Sequence, residues 1–274
     1  MTRNLRLLWF QIRAQNRFFW RVPIGAFFTL ALPIIMLLLF VALFGNDIDD
    51  ARETGDITAA QFYTPALAVF AVGSATYTNI AINLSTRRED GILRRVRSTP
   101  LSPAIYLAGA IGSAVWIALV SMTIMVGIGV LAFSVNLELA KLPAMLLAFV
   151  VGSATFATLG VALAGFAKSA SSASALANAT ILPMAFISNI FIDLGSDPPR
   201  YLRVAADIFP LKHFGSTFSE AMNPWSEVPA IEWDRLGVLL LWLVLGGIVA
   251  RAKFGWEPSV GGSTSRTRRR RNPA

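Results

Sequence analysis

Residues 86–103 read TRREDGILRRVRSTPLSP and lie between two long apolar stretches of the chain. Five arginines and two prolines fall in this short segment. A basic segment with turn-forming residues between apolar stretches is typical of a loop that joins two membrane-spanning helices. The composition fits that interpretation, because 55% of the 274 residues are hydrophobic and only 15% are charged.

Six stretches free of charged residues are candidates for membrane-spanning helices. A helix rises about 1.5 Å per residue and needs about 20 apolar residues to cross the ~30 Å hydrocarbon core. The sixth stretch is the shortest and spans the core only if its flanking arginines extend to opposite interfaces. The predicted spans are residues 22–44, 62–85, 103–134, 142–167, 169–192 and 236–250. The sequence therefore predicts an all-α membrane protein with six transmembrane helices.

The basic residues orient these spans. Most of the 24 lysines and arginines lie before the first span, in residues 86–102, at Lys168 or after the sixth span. The positive-inside rule places all of these positions, and both termini, on the cytoplasmic side. The sequence therefore predicts a multi-pass protein of the cell membrane in which residues 86–102 form a cytoplasmic loop.

Three further segments complete the predicted organisation. Residues 1–21 form an amphipathic pattern with arginines on one side, which is typical of a helix lying on the membrane surface. Residues 193–235 are too long for a hairpin and contain two partly apolar runs separated by Pro210, which predicts short outer helices. Residues 1–257 are therefore expected to form one membrane domain. Residues 258–274 are expected to form a disordered basic cytoplasmic tail that contacts anionic lipids or maintains the topology.

The sequence lacks the common motifs of catalysis and of ion-driven transport. It has no cysteine and a single histidine, His213, so it offers no thiolate site or histidine cluster. It has no G-x-x-x-x-G-K-[ST] motif, and therefore no P-loop for ATP. No predicted span has a charged residue in its middle, which argues against a carrier driven by protons or sodium. The basic residues that give the chain its net charge of +8 lie beside the spans and do not form one basic face. Nucleic acid is therefore not an expected partner.

Two predicted spans carry uncharged polar residues at helical spacing. These are Thr76, Asn79 and Asn83 in the second span, and Ser171, Ser174 and Asn178 in the fifth. Such side chains either join packed helices by hydrogen bonds or line a pathway across the membrane, and the spacing leaves both interpretations open. The candidate lining residues are Thr76, Asn79, Asn83, Ser174 and Asn178.

The basic loop has more local order than its charge requires. Three apolar residues at helical spacing predict a short amphipathic helix over residues 90–98. These residues are Ile92, Leu93 and Val96. Thr99 and Pro100 are expected to end this helix. Ser102 and Pro103 are typical of an N-cap and first helical residue, and are expected to begin the third span.

The loop and the start of the third span resemble the corresponding segment of the ABC-2 family of permeases. The matching residues are Glu89, Gly91, Leu93, Arg94, Arg97, Thr99, Pro100, Leu101, Ser102, Tyr106, Leu107 and Gly109. The surface helix, the six spans and the long outer segment also resemble this family. The chain departs from the family at Ala110, where lysine is usual.

The resemblance implies a role and a set of partners. ABC-2 permeases are membrane subunits of ATP-binding-cassette exporters and include drug-resistance permeases of the daunorubicin type. In them this loop forms a coupling helix that docks on a separate ATPase, and two permeases assemble with two ATPases. The implied coupling residues are Glu89, Asp90, Arg94, Arg95, Arg97, Thr99 and Pro100. Closure of the ATPases would be passed to the second and fifth spans.

The implied function is ATP-driven efflux of a hydrophobic or amphipathic compound, such as a drug, an antibiotic or a lipid. The chain would not be an enzyme and would hold no cofactor, because ATP and magnesium would bind the partner ATPase. The second permease would be another copy of this chain or a related one. Two other functions stay open from the residues: a membrane scaffold without transport, and a secondary transporter.

Overall fold

The computed structural model describes residues 3–21, 23–45, 57–192 and 199–256. Over these residues the regular secondary structure is helical. The helices are α1 (Arg3–Trp20), α2 (Pro23–Phe44), α3 (Ala59–Gly73), α4 (Asn79–Glu89), α5 (Ile92–Arg97), α6 (Pro103–Phe133), α7 (Leu142–Phe166), α8 (Ala170–Ile187), α9 (Arg200–Ile208), α10 (Pro210–Met222) and α11 (Trp233–Lys253). A π-helical turn, Ser74–Thr78, joins α3 and α4 into one continuous helix.

Five of the described helices are long and apolar enough to cross a membrane. They are Ala59–Glu89, Pro103–Phe133, Leu139–Phe166, Ala170–Ile187 and Trp233–Lys253, and they coincide with the second to sixth predicted spans. The first predicted span coincides with α2, in which Thr29–Phe44 is a shorter apolar helix. The all-helical architecture is thus confirmed for the described residues, while the count of six spans stays a prediction.

Three predicted spans have clearly different boundaries in the structure. The second was expected over residues 62–85 and is longer at both ends, running from Ala59 to Glu89. The fifth was expected to reach residue 192, but α8 ends at Ile187, because Asn189 adopts a positive φ of 62° that an α-helix cannot contain. The sixth is longer than the charge-free stretch and runs from Trp233 to Lys253. Its charged ends suit the helix dipole, with Asp234 in the first turn and basic residues in the last turn.

Many large apolar side chains are exposed on the helices of the bundle. Leu43, Leu131 and Ile248 are 67%, 89% and 60% exposed. Exposed apolar side chains in this number are costly in water and favourable against lipid tails. The continuous helix Ala59–Glu89 is the most buried of the five candidate spans, and Trp233–Lys253 is the least buried. The second span therefore forms the centre of the bundle.

Close packing at the centre depends on a glycine in α7. A Cβ atom at Gly160 would lie 2.7 Å from the backbone oxygen of Tyr77 in the π-helical turn. A larger residue would therefore separate α7 from the second span.

The two short helices predicted after the fifth span are present as α9 and α10. Pro210 is the first residue of α10, where its missing N–H costs no helical hydrogen bond. Gln61 binds the C-terminal end of α10, where its Nε2 donates to Met222 O at 2.7 Å. Its Oε1 accepts a hydrogen bond from Asn136 N at 2.8 Å. The placement of these helices on the outer side stays a prediction.

The amphipathic N-terminal segment is helical as α1 and packs against α6. Its position on the membrane surface stays a prediction, as do the domain boundaries. The predicted tail at 258–274 lies outside the described residues.

Candidate functional site

The basic loop begins with a sharp turn after α4. Gly91 has a φ of +70°, which glycine adopts without the strain that a side chain would cause. The short helix α5 follows and ends where the Ser98 and Thr99 hydroxyls donate to the carbonyls of Arg95 and Val96 at 2.8 and 2.7 Å. The helix predicted over residues 90–98 is therefore present but shorter at both ends, because the glycine turn and these two hydroxyls delimit it.

The start of α6 agrees only in part with its predicted cap. Pro103 is the first helical residue, as predicted. Ser102 has the extended conformation of an N-cap, but its side chain makes no capping hydrogen bond. The third span thus begins at the predicted residue without the predicted side-chain cap.

One side of α5 is anchored in the membrane domain. Leu93 is fully buried in a cluster with Leu84 of α4, Tyr106 of α6 and Ala164 of α7. Phe254 and Trp256, which follow α11, pack against the same cluster. Complete burial of one leucine side chain contributes roughly 1.5–3 kcal/mol. The loop helix is therefore held by the second, third and fourth spans and by the exit of the sixth.

The other side of α5 and its flanks face outward. The exposed residues include all seven predicted for coupling: Glu89, Asp90, Arg94, Arg95, Arg97, Thr99 and Pro100. Three arginines within one short helix create a positive surface, which suits an acidic protein surface or anionic headgroups. We call Asp90, Arg94, Arg95 and Arg97 the outer loop face.

Arg88 is a functional candidate that the sequence analysis did not single out. It is only 5% exposed, and its Nη1 donates to Ala164 O at 2.9 Å while its Nη2 donates to Ala167 O. These carbonyls lie at the end of α7, where backbone oxygens lack helical partners and a cation is favoured. The spacing of Arg88 in the sequence could have indicated that it is buried. It follows buried Ala81 and Leu84 at helical intervals and so lies on the buried side of α4.

Glu89 lies next to Arg88 and contacts the next helix. Its Oε2 accepts a hydrogen bond at 2.9 Å from the N–H of Ala170, the first residue of α8. A carboxylate is favoured at a helix N-terminus. Ser169 and Ser172 complete this helix start with a capping box. One oxygen of Glu89 is thus used within the chain.

Arg87 links the end of α4 to other helices. Its Nε donates to Asn83 Oδ1 at 2.6 Å, and its Nη1 donates to the Tyr106 hydroxyl at 2.9 Å. The guanidinium also lies 5.0 Å from the ring centre of Phe18 in α1, which is cation–π distance. Arg87 therefore connects the second span with α6 and α1, whereas Arg88 connects it with α7.

The predicted lining residues occupy three different environments. Asn79 and Asn83 line a small cavity of about 20 Å³ with Gln15 and Ser113, a volume that suits one water molecule. Thr76 is fully buried and donates to Val72 O of its own helix at 2.7 Å. The two candidates on α8 are half-buried Ser174 and exposed Asn178. The structure brings the two asparagines of α4 together, and the assignment of all five as lining residues stays a prediction.

The described residues contain no group of histidine and acidic side chains arranged to hold a metal ion. Within the same residues His213, the only histidine, is buried and pairs through Nε2 with Asp207 O at 2.8 Å. That contact joins α9 to α10.

The apolar helices of membrane-crossing length and the anchored loop helix define a multi-pass, all-helical membrane protein. Residues 6–223 match the family described as ABC-2 type transporter. This match covers most of the sequence, and the chain belongs to the ABC-2 type transporter family. The family resemblance predicted from the loop is therefore confirmed. The matched family model describes the membrane part of such transporters and not an ATPase domain.

A curated relative is similar along most of both sequences. It is the daunorubicin resistance ABC transporter permease protein DrrB1 of Streptomyces coeruleorubidus. The two are 29% identical over 254 residues, which cover 90% of this chain and 82% of the relative.

Proposed function

We propose that this chain is the membrane subunit of an exporter that moves a hydrophobic or amphipathic compound out of the cell, with ATP hydrolysed by a separate subunit. The observation that carries this proposal is the two-sided loop helix. Leu93 is fully buried among the spans, while the arginines of α5 face outward. A partner that pushes on the outer side of α5 therefore acts on a helix that is packed against several spans at once.

The outer loop face is the docking surface in this proposal. Its excess of positive charge favours a partner with an acidic groove, because complementary charge speeds association and excludes unsuitable partners. Thr99 and Pro100 lie at the margin of this surface and are also exposed. ATP and magnesium bind to the partner subunit, since this chain has no P-loop motif.

A second permease, either another copy or a related chain, completes the pathway. Support comes from α8, which is one of the two least buried candidate spans. Its exposed residues include both polar and large apolar side chains, among them Asn178, Leu182 and Phe186. A partner permease would cover the polar groups on this side, which would otherwise face lipid.

The substrate class follows from the character of the spans. The predicted membrane stretches are free of charged residues and carry only uncharged polar side chains, which suits an amphipathic compound better than an ion. A relative named for daunorubicin resistance supports a drug-like substrate. We place the chain in the cell membrane with both termini in the cytoplasm, as the distribution of basic residues indicates.

Affinity purification from the native membrane tests the proposed ATPase partner. The wild-type chain is expected to copurify with an ATPase activity, and the double variant Arg94→Glu/Arg95→Glu is expected to lose it, because the docking surface then repels an acidic partner. The matched control is Arg200→Glu, an exposed arginine on the predicted outer side.

Two outcomes would contradict the proposal. A wild-type chain that purifies without any ATPase activity would favour a secondary transporter. Retention of the ATPase by Arg94→Glu/Arg95→Glu would remove the docking role from α5 and would favour a membrane scaffold.

A further inference from the structure

Two consecutive residues at the end of the second span hold the turn between the fourth and fifth spans. Arg88 donates to the carbonyls of Ala164 and Ala167 at the end of α7. Glu89 accepts from the N–H of Ala170 at the start of α8. Side chains of α4 therefore bind the chain at both ends of the turn, at Ala167 and at Ala170. We call Arg88 and Glu89 the α4 clasp.

The charges of the clasp match the helix ends that they contact. The cation meets the C-terminus of α7 and the anion meets the N-terminus of α8, so each side chain faces the partial charge that it favours. Hydrogen bonds in which one partner is charged are stronger than those between neutral groups. Arg88 is nearly fully buried, whereas Glu89 is exposed, so the arginine is expected to form the stronger contact.

The clasp lies directly beside the loop helix. Only Asp90 and Gly91 separate Glu89 from α5, and Leu93 of α5 lies in one buried cluster with Leu84 of α4. A displacement of α5 therefore displaces the end of α4. Because the clasp binds backbone atoms and not flexible side chains, the turn at 167–169 has to follow.

We infer that Arg88 and Glu89 are positioning residues that transmit movement of α5 to the start of the fifth span. This inference rests on the proposed function, because it supplies the step between ATPase docking and the transmembrane pathway. It also changes the expected role of Glu89, which acts within the chain and not at the ATPase surface. Packing supports the route, since α8 contacts α4 more extensively than it contacts α7.

Hydrogen exchange on the purified chain alone tests whether the clasp exists. Glu89→Ala removes the acceptor of the Ala170 N–H, so peptides covering the start of α8 are expected to exchange faster. Glu89→Gln retains an amide oxygen as acceptor and is expected to exchange nearly like wild type. Equal exchange in wild type and Glu89→Ala would overturn the contact.

A spin label on the chain in its complex with the ATPase tests transmission. The chain has no cysteine, so Ser171→Cys on α8 and Ser98→Cys after α5 each take a single label. Trapping the ATPase with MgATP and vanadate is expected to change the spectrum at both positions in the wild-type background. In Arg88→Met and in Glu89→Ala, the change at Ser98 is expected to persist while the change at Ser171 falls about two-fold or more.

Conservative and neighbouring variants separate positioning from folding. Arg88→Lys and Glu89→Gln each keep one of the original contacts and are expected to restore part of the response at Ser171. Arg87→Gln is the matched control, because Arg87 contacts α6 and α1 instead of the turn. It is expected to leave the response at Ser171 intact.

The outcomes distinguish the inference from the function on which it rests. An unchanged response at Ser171 in both Arg88→Met and Glu89→Ala, with the ATPase still bound, would overturn transmission through the clasp alone. Absence of any ATPase from the wild-type preparation would contradict the proposed function, and the transmission step with it. The hydrogen-exchange result would still decide whether the contact exists.

Discussion

The sequence predicts that Arg88 lies on the buried side of its helix, but it does not predict which groups Arg88 binds. Counted as one of five arginines, it supports the orientation of the loop. Its spacing from Leu84 puts it on the buried side of α4, but no pattern within α4 indicates that its partners are carbonyls at residues 164 and 167. Contacts with backbone atoms distant in sequence depend on how helices pack, so charge and periodicity alone do not predict them.

Glu232 provides a test of local electrostatics outside the spans. One carboxylate oxygen lies 2.7 Å from Arg235 Nε, and the other is buried without a hydrogen-bond partner among the described residues. Burial raises the pKa of Glu232, with Arg235 opposing the rise and Glu220 adding to it. The folded chain therefore favours the protonated carboxyl, so this stabilisation is greatest at low pH and is lost as pH rises through the raised pKa.

The predicted consequence is a pH-dependent gain in stability for Glu232→Gln. At pH 7.5 the variant is expected to melt about 1–3 °C above wild type, because it removes a charge that is partly desolvated on folding. The difference is expected to shrink as the pH falls towards 4, where the carboxyl is protonated in both folded and unfolded chains. Thermal unfolding in detergent at both pH values measures this, with exposed Glu227→Gln as the control. A lower melting temperature for Glu232→Gln at pH 7.5 would contradict the interpretation.

At the scale of elements, long apolar segments were predictable and local endings were not. The absence of charge over a membrane thickness is a property of the whole segment, so α6 and α7 begin at the predicted residues. The end of α8 depends on one left-handed residue, Asn189, and asparagine is not restricted to that conformation. The π-helical turn at Ser74–Thr78 was likewise not predicted from the sequence.

The contact between α1 and α6 depends on two small residues. A Cβ atom at Gly109 would lie 2.6 Å from Gln11 Cβ, and one at Gly112 would lie 2.8 Å from Ile12 Cδ1. Both distances are shorter than carbon atoms tolerate, so a side chain at either position has to displace α1.

Gly109→Val is therefore predicted to release α1 from the bundle. Peptides from Arg3–Trp20 are expected to exchange hydrogen about ten-fold faster or more, since overpacking typically costs about 1–3 kcal/mol. Gly127→Val on the same helix is the matched control, because no atom lies within 4 Å of its added Cβ. Equal exchange in the two variants would show that α1 does not depend on this close approach.

At the scale of the whole molecule, the distribution of charge orients the bundle. The outer loop face and α9 are predicted to lie on opposite sides of the membrane. Tyr201 on α9 is 72% exposed, and Ser98 after α5 is also exposed, so both accept a reporter group.

Cysteine labelling of intact cells with a membrane-impermeant maleimide tests this orientation. Tyr201→Cys is expected to be labelled in intact cells, and Ser98→Cys only after permeabilisation. The wild-type chain is the blank, because it has no cysteine. Labelling of Ser98→Cys in intact cells, without labelling of Tyr201→Cys, would invert the proposed topology.

Uptake by inside-out membrane vesicles tests the central claim most directly. Daunorubicin and a panel of fluorescent amphipathic cations and lipids serve as probes, in vesicles that contain the wild-type chain and its copurifying ATPase. At least one probe is predicted to accumulate with MgATP but not with a non-hydrolysable analogue, and Arg94→Glu/Arg95→Glu is predicted to abolish this accumulation while Arg200→Glu retains it. Accumulation that persists without ATP hydrolysis, or no ATP-dependent accumulation of any probe, would contradict ATP-driven export by this chain.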